Sequence, residues 1–406
     1  MNKFLILSLS LGLNFQVNSS CSLKDANDVL GLIKKNHPQI TLNKAKKHAI
    51  EKLLEKASQS PNPELNINSS FGDSIEGDVY TTSLSLQHVL ELGGKQSARM
   101  KVAEKSIKAR KSFSGLEDQR SLIDAVLKLH RLRQVHELIP LYKESLNAFN
   151  KILRTLRRRR SLSPEQEVES ETLALASNDY KLKISQLNSE KDNLEKHLSY
   201  YMGKKCTLPM EVLPSSVDLE KKFQKGQTIE KDKKVNAAKN LLELAKATLD
   251  LEKSNSYPNL KIGPTYEYEK VNIRGSTRMG LSLTIDLPLF NINSGGRAKA
   301  VRDIVSAEVN LKNSQIESSL DLEAWILKYN EFKFSLKTIA NKNDLERKHR
   351  KIENLFKRGI ISTSLVIESH RQLIEFSNTR FEFEQGATEA LWNIYKMTGK
   401  IKDQKI

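Results

Sequence analysis

Two cysteines in 406 residues are too few for a disulfide framework or a thiolate metal cluster. Aromatic residues make up 6% and hydrophobic residues 38%, short of what one compact globule of this size buries; long helices that bury only a stripe need less. Beyond residue 20 no stretch approaches the roughly twenty consecutive apolar residues of a membrane-spanning helix. If this part of the chain meets a membrane, it does so with strands. The histidines (His37, His48, His88, His130, His136, His197, His349 and His370) are scattered without ligand spacing, so no metal site and no cofactor are expected. Nucleophile elbow, P-loop and paired-carboxylate motifs are also missing, which argues against an enzyme. Positive charge is abundant, at a formal +17. That excess suits nucleic acid, an acidic membrane surface or solvated helix faces. Lys and Arg are spread along helical stretches and no nucleic-acid module is visible, which favours the solvated faces and no nucleic acid.

The N-terminus points to export. Lys3 precedes a mostly apolar run from Phe4 to Leu13, and Val17 and Ser19 suit the −3 and −1 positions of a cleavage site, so residues 1–20 read as a secretory signal peptide. Cys21 then stands where a lipoprotein carries its lipidated cysteine, although Asn18 occupies a position where a lipobox has an apolar residue. A disulfide to Cys206 is the other use open to it in an exported chain.

The most informative stretch is Met279 to Arg297. Met279, Leu281, Leu283, Ile285 and Leu287 alternate with Gly280, Ser282, Thr284 and Asp286, the period of a strand with one apolar and one polar face. Pro288, lacking an N–H, is expected to end that strand, and Asn293-Ser294-Gly295-Gly296 to turn the chain into a helix from 297 to 357. The same unit occurs earlier. Strands over 64–72 and 79–90 lead through Gly93-Gly94 into a helix over 95–157, which Pro140 should kink. A return helix over 164–202 starts with Ser163 as N-cap and Pro164 at its first position, and ends at Gly203. In the second half, strands over 259–269 and 278–288 precede helices over 297–357 and 363–398. Pro63 matches Pro258, Leu84-Ser85-Leu86 matches Leu281-Ser282-Leu283, and Met202-Gly203 matches Thr398-Gly399, at offsets between 195 and 197. Gly94-Lys95 matches Gly296-Arg297 at an offset of 202. The chain therefore reads as a duplication, residues 21–210 and 211–406. The last helix carries a heptad-like seam of Val366, Ser369, Leu373, Phe376, Arg380, Phe383, Ala387, Ala390, Ile394 and Met397. Its weaker first-half counterpart is Leu173, Ala176, Tyr180, Leu187, Leu194 and Tyr201.

The expected fold is mainly α with a membrane β part. Each of the four strands is long enough to cross a bilayer, yet a barrel needs about eight strands. An open edge in lipid leaves backbone groups unpaired, so the barrel would be shared among chains and the long helices would continue it as a coiled-coil α-barrel. A soluble pair of hairpins with coiled-coil arms, a structural protein without a pore, is the alternative.

Several segments together resemble the outer-membrane efflux protein (TolC) family. They are Asn62-Pro63-Glu64-Leu65, Leu90 to Lys95, Tyr257-Pro258-Asn259-Leu260, Pro288-Leu289-Phe290 with Gly295-Gly296, Arg358-Gly359 with Ser362, and Tyr395 to Gly399. The Asn-Pro-Glu-Leu and Glu-Leu-Gly-Gly-Lys forms are most similar to its heavy-metal efflux (CzcC-like) branch. The resemblance implies a homotrimer in outer-membrane lipid with a periplasmic helical tunnel. It implies docking through a periplasmic adaptor (membrane fusion) protein to an inner-membrane pump, proton-driven in that branch, with divalent cations as cargo. An outlet for type I protein secretion would share the fold. By the same resemblance, Arg358, Gly359 and Ser362 form an adaptor-docking tip, with Ser161, Ser163 and Glu165 as counterpart. Leu365 and Glu368 fall at a pore constriction. Pro288, Gly295 and Gly296, with Gly93 and Gly94, mark the joints between barrel and tunnel.

Overall fold

The computed structural model describes residues 21, 23–75, 77–223, 229, 231–339 and 342–406. The signal-peptide reading of residues 1–20 lies outside them. In chain order the elements are α1 (Ala26–Asn36), α2 (Pro38–Ser58), β1 (Glu64–Ser74), β2 (Gly77–Glu91), α3 (Lys95–Arg157), α4 (Pro164–Met202), α5 (Lys233–Ser254), β3 (Asn259–Val271), β4 (Arg274–Ile285), α6 (Ser294–Thr338), α7 (Lys342–Lys357) and α8 (Thr363–Met397). None of the described helices is long and apolar enough to cross a membrane.

The strands form one antiparallel sheet in the order β1-β2-β3-β4. Two hairpins from distant parts of the chain meet along β2 and β3, where Glu91 lies opposite Asn259 and Val79 opposite Val271. Asn272, in the left-handed region at φ 53°, makes the tight turn between β3 and β4, which pairs Val271 with Arg274. That turn is shorter than the gap left between the strands expected over 259–269 and 278–288, because an asparagine can supply the positive φ that a short hairpin turn needs.

The 63-residue α3 passes Pro140 unbroken and, at about 1.5 Å per residue, extends about 90 Å from the sheet. Beside it run α2, α4, α5 and α8, with α6 against α5 and α8. Three apolar clusters lie along this stalk. One joins α3, α6 and α8 around the fully buried Tyr329, whose hydroxyl donates to the Asp218 carbonyl at 2.8 Å. A second joins α3, α4 and α8 towards the helix tips. The third packs α1 against α3, α4 and the segment after Gly203. There Cys21 and Cys206 are joined as a disulfide with their Cα atoms 5.7 Å apart. A sulfur so used cannot carry a lipid, which decides between the two uses of Cys21.

Three expectations are corrected. The helix predicted over 297–357 is two helices. α6 stops at Thr338, whose hydroxyl bonds back to the carbonyls of Phe334 (3.1 Å) and Ser335 (3.0 Å), and Ile339 turns extended at ψ 157°. No proline or glycine marks the break. β4 ends at Ile285, short of Pro288, where its partner strand β3 runs out at Asn259–Leu260. The seam of α8 is displaced by one residue over its first half. Val366 is buried as expected, but His370, Ile374, Phe381 and Glu384 are buried in place of Ser369, Leu373, Arg380 and Phe383, and Phe376 is half-buried. Two of these buried residues are polar, and both find partners on α3 or α7.

Glu384 illustrates why a polar residue sits there. Its carboxylate meets the Arg133 guanidinium, with the side chains 5% and 7% exposed, and Arg133 also reaches Glu137 at 2.7 Å. Breaking such a pair strands a buried charge, at a cost of about 3–5 kcal/mol, whereas replacing both partners by apolar residues avoids that penalty. Glu384→Ala is therefore expected to lower stability by that amount, and the double variant Arg133→Met/Glu384→Leu by much less. Chemical unfolding followed by circular dichroism checks both.

Candidate functional site

The sheet is inside out for a protein in water. Because strand partners share a face, the register gathers Leu65, Ile67 and Phe71 of β1 with Leu84, Leu86 and Leu90 of β2. The same face continues through Leu260, Ile262 and Tyr266 of β3 to Met279, Leu281, Leu283 and Ile285 of β4. This face is outward: Met279 is 85% and Leu281 72% exposed. A hydrogen bond between Ser69 and Thr82 (3.2 Å) is a polar interruption in it. The sheltered face is largely polar. Gln87 is buried there and donates to Ser282 and, at 3.2 Å, to Thr284. Gln87 reaches β4 by crossing Gly263, where any Cβ would run into the Leu86 carbonyl. Four strands of 11 to 15 residues span about 36–50 Å at roughly 3.3 Å per residue, ample for a tilted crossing of a bilayer core.

Where sheet becomes stalk, the two connections differ. In the first, Gly93 and Gly94 both take φ 70°, a region open to glycine, and a Cβ on Gly93 would strike the Tyr257 ring. Arg99 holds this junction: its guanidinium bonds Glu91 at 2.7 and 3.1 Å, and the carbonyls of Ala57 at 3.0 Å and Gln59 at 2.9 Å. One side chain thus ties together the ends of α2, β2 and α3. In the second connection the left-handed residue is Asn293 (φ 53°), and Gly295 and Gly296 are the first turn of α6 rather than a turn before it. Asn293 is fixed by donating to Glu252, to the carboxylate at 2.6 Å and to the carbonyl at 2.9 Å. Pro288 lies in the irregular segment between β4 and α6.

At the far end of α3, Arg158 to Ser163 turn the chain without a left-handed residue, which a glycine-less tip requires. The Ser163 hydroxyl accepts from Gln166 N at 3.3 Å and the Gln166 side chain accepts from Ser163 N at 3.2 Å, a complete capping box ahead of Pro164 and Glu165. The second tip uses Gly359 at φ 70°, with Gly359 N donating to Phe356 O (2.8 Å) and Ile360 N to Leu355 O (3.0 Å), before Ser362 caps α8. Leu162 at the first tip and Ile361 at the second pack against the same apolar cluster. Just inside the second tip Leu365 is half exposed, and Glu368 accepts from Arg371 at 2.9 and 2.7 Å and from Gln372 at 2.8 Å. These bonds hold the Glu368 carboxyl below the usual carboxylate range. Its charge is shared with a cation on its own helix.

No family model and no curated protein matches the chain. Solved structures do. The chain is similar to the MtrE outer membrane channel of Neisseria gonorrhoeae in its open state, with a TM-score of 0.72 and 12% identity over 93% of this chain and 90% of that one. It is also similar to the CmeC outer membrane channel of Campylobacter jejuni, at a TM-score of 0.70 and 13% identity over 97% and 91%. The outer membrane protein VceC of Vibrio cholerae matches at 0.65 and 12% over 92% and 96%. The fold is that of the outer-membrane channels. In this channel fold the apolar sheet face and the two tips lie at opposite ends of α3. Arg99 and Glu91 tie the sheet to the stalk; Glu91 falls in the Glu-Leu-Gly-Gly-Lys motif, and the signal for its pairing with Arg99 is opposite charge eight residues apart across a glycine turn.

Gly93→Ala is expected to cost about 1–3 kcal/mol, from the left-handed backbone and the lost fit to Tyr257. Gly94→Ala, with open space around the added Cβ, pays only for the backbone. Thermal unfolding of the two variants side by side checks the difference.

Proposed function

We propose that this chain is the outer-membrane channel subunit of a tripartite efflux system, a passive duct of the TolC family. The observation that carries the reading is the four-stranded sheet with an apolar outer face, a polar inner face and, among the described residues, no partner for the outer edges of β1 and β4. In water the outer face is uncovered; in lipid the edges leave backbone groups unsatisfied. Both problems vanish when copies of the chain join β1 to β4 and close a barrel of about twelve strands from three chains.

The stalk supports the same assembly. Val301, Val305, Val309, Ile316, Leu320, Leu327 and Phe334 form an exposed apolar stripe along α6, and Val168, Leu175 and Leu182 recur every seventh residue along α4. Such stripes are seams awaiting a neighbouring helix. The repeated order of hairpin, long helix and return helix fits a gene duplication that supplies half of a ring segment twice. The tips, with Arg157 to Arg160 on one side and Arg358 on the other, offer a basic surface to a periplasmic adaptor that links the duct to an inner-membrane pump. We assign the cargo to divalent heavy-metal cations, following the Asn62-Pro63-Glu64-Leu65 and Glu91 to Lys95 motifs.

Purified protein in a planar bilayer is expected to give long-lived single-channel openings and to run as a trimer in detergent. A trimer-sized particle without conductance would favour a structural coiled-coil protein. At the inner end of the second tip, Glu368→Ala is expected to weaken block of the channel by divalent cations. Arg371→Ala, which frees the Glu368 carboxylate, is expected to strengthen it. Equal block in both variants would remove Glu368 from the constriction.

A further inference from the structure

Two of the scattered histidines meet. His349 on α7 and His370 on α8 are 8% and 1% exposed, and their rings pack edge to face at 82° with centroids 4.5 Å apart. One turn after His349, on the same face of α7, stands Glu353. His349, Glu353 and His370 each bring a ligand atom within 4.8 Å of the other two. Three helices converge here, because α3 supplies the residues behind the rings. The Ser145 hydroxyl lies 2.9 Å from His370 Nδ1, and Glu144 has an oxygen 4.0 Å from His349 Nδ1.

The hydrogen-bond balance defines what the pair lacks. Ser145 Oγ donates its one proton to the Leu141 carbonyl at 3.0 Å, so towards His370 it can only accept. The proton of His370 is then on Nδ1, and its Nε2 carries a lone pair. Glu144 beside His349 Nδ1 favours the same tautomer there. His349 Nε2 lies 3.4 Å from His370 Nε2 and 3.3 Å from His370 Nδ1. Two nitrogens bound to a tetrahedral zinc ion at about 2.05 Å lie about 3.3 Å from each other. Phe149, edge to face with His370 at 5.6 Å, closes the apolar side. The other side is open: His349 and Glu144 line a cleft of about 870 Å³ between α3, α7, α8 and the segment around Leu213.

We infer that His349, His370 and Glu353 form a binding site for one borderline divalent cation of the zinc, cobalt or nickel type, oriented from behind by Ser145 and Glu144. Two neutral imidazoles and one carboxylate suit such ions better than calcium or magnesium, which take oxygen ligands. The fourth position faces the cleft and takes water. Binding requires one ring to turn about χ2 so that both lone pairs face the ion, and it draws Glu353 from Lys357, now 3.8 Å away. Backing residues that fix the tautomer of a metal-bound histidine are the usual outer layer of such sites. The ion would pin α7, the short helix beyond the break, to α3 and α8. The site is independent of what the duct carries.

The test uses the full-length, untagged protein in detergent after chelator treatment. Titration with zinc chloride by calorimetry is expected to show one ion per chain. Cobalt chloride is expected to give the intense visible bands of a tetrahedral site, bleached by zinc. His349→Gln/His370→Gln is expected to lose both signals. Ser145→Ala, which keeps every ligand and removes only an orienting partner, is expected to weaken binding by about 10–100-fold. Absence of uptake by the wild-type chain, or uptake that survives in the double variant, overturns the assignment. The wild-type cobalt spectrum is informative even if the double variant folds poorly.

Discussion

The ladder between β2 and β3 is the contact on which the molecule depends. It joins two hairpins that are far apart in the chain, with Glu91 set against Asn259. Because the pairing is antiparallel and in register over most of both strands, it also decides the helices. α3 leaves the sheet at the point where α5 enters it, and the two run side by side. The same ladder makes a single apolar face out of four alternating strands. It satisfies the inner edges of β2 and β3 and leaves the outer edges of β1 and β4 as the molecule's unfinished business.

Along the stalk, apolar stripes supply most of the packing, but polar contacts set the helices against one another. Arg133 with Glu384, Tyr329 with the Asp218 carbonyl, and Gln134 with the Phe381 carbonyl at 3.0 Å each demand one particular alignment. An apolar stripe tolerates sliding by a turn; a buried charge pair does not. The histidine pair belongs to this group by position, since it too joins α3, α7 and α8. It differs in setting ring nitrogens against one another, with His349 Nε2 3.3 and 3.4 Å from the two nitrogens of His370.

The two halves solve equivalent problems with different residues. One junction between sheet and stalk bends at two left-handed glycines packed on Tyr257 and pinned by Arg99. The other bends at Asn293, held by Glu252. One tip is closed by a capping box and a run of arginines, the other by Gly359 and the Ser362 cap. The halves therefore present unlike surfaces at both ends.

What the sequence determined by itself is local. Alternation at period two set which face of each strand is apolar, because neighbouring side chains on a strand must point to opposite sides. Ser163-Pro164, Gly203 and Gly359 marked helix ends, because capping and left-handed backbone depend on a few adjacent atoms. The tertiary structure decided everything that needs a distant partner. The buried seam of α8 includes His370 and Glu384, which read as surface residues until Ser145, His349 and Arg133 are placed beside them. The helix break at Thr338–Ile339 carries no proline or glycine. Gly295 and Gly296, read as a turn, became the start of α6 once Asn293 found Glu252. Cys21 could have carried a lipid or a disulfide until the fold brought Cys206 to it. Side-chain period is a property of neighbours along the chain; polar satisfaction is a property of neighbours in space, and only the folded chain brings those together.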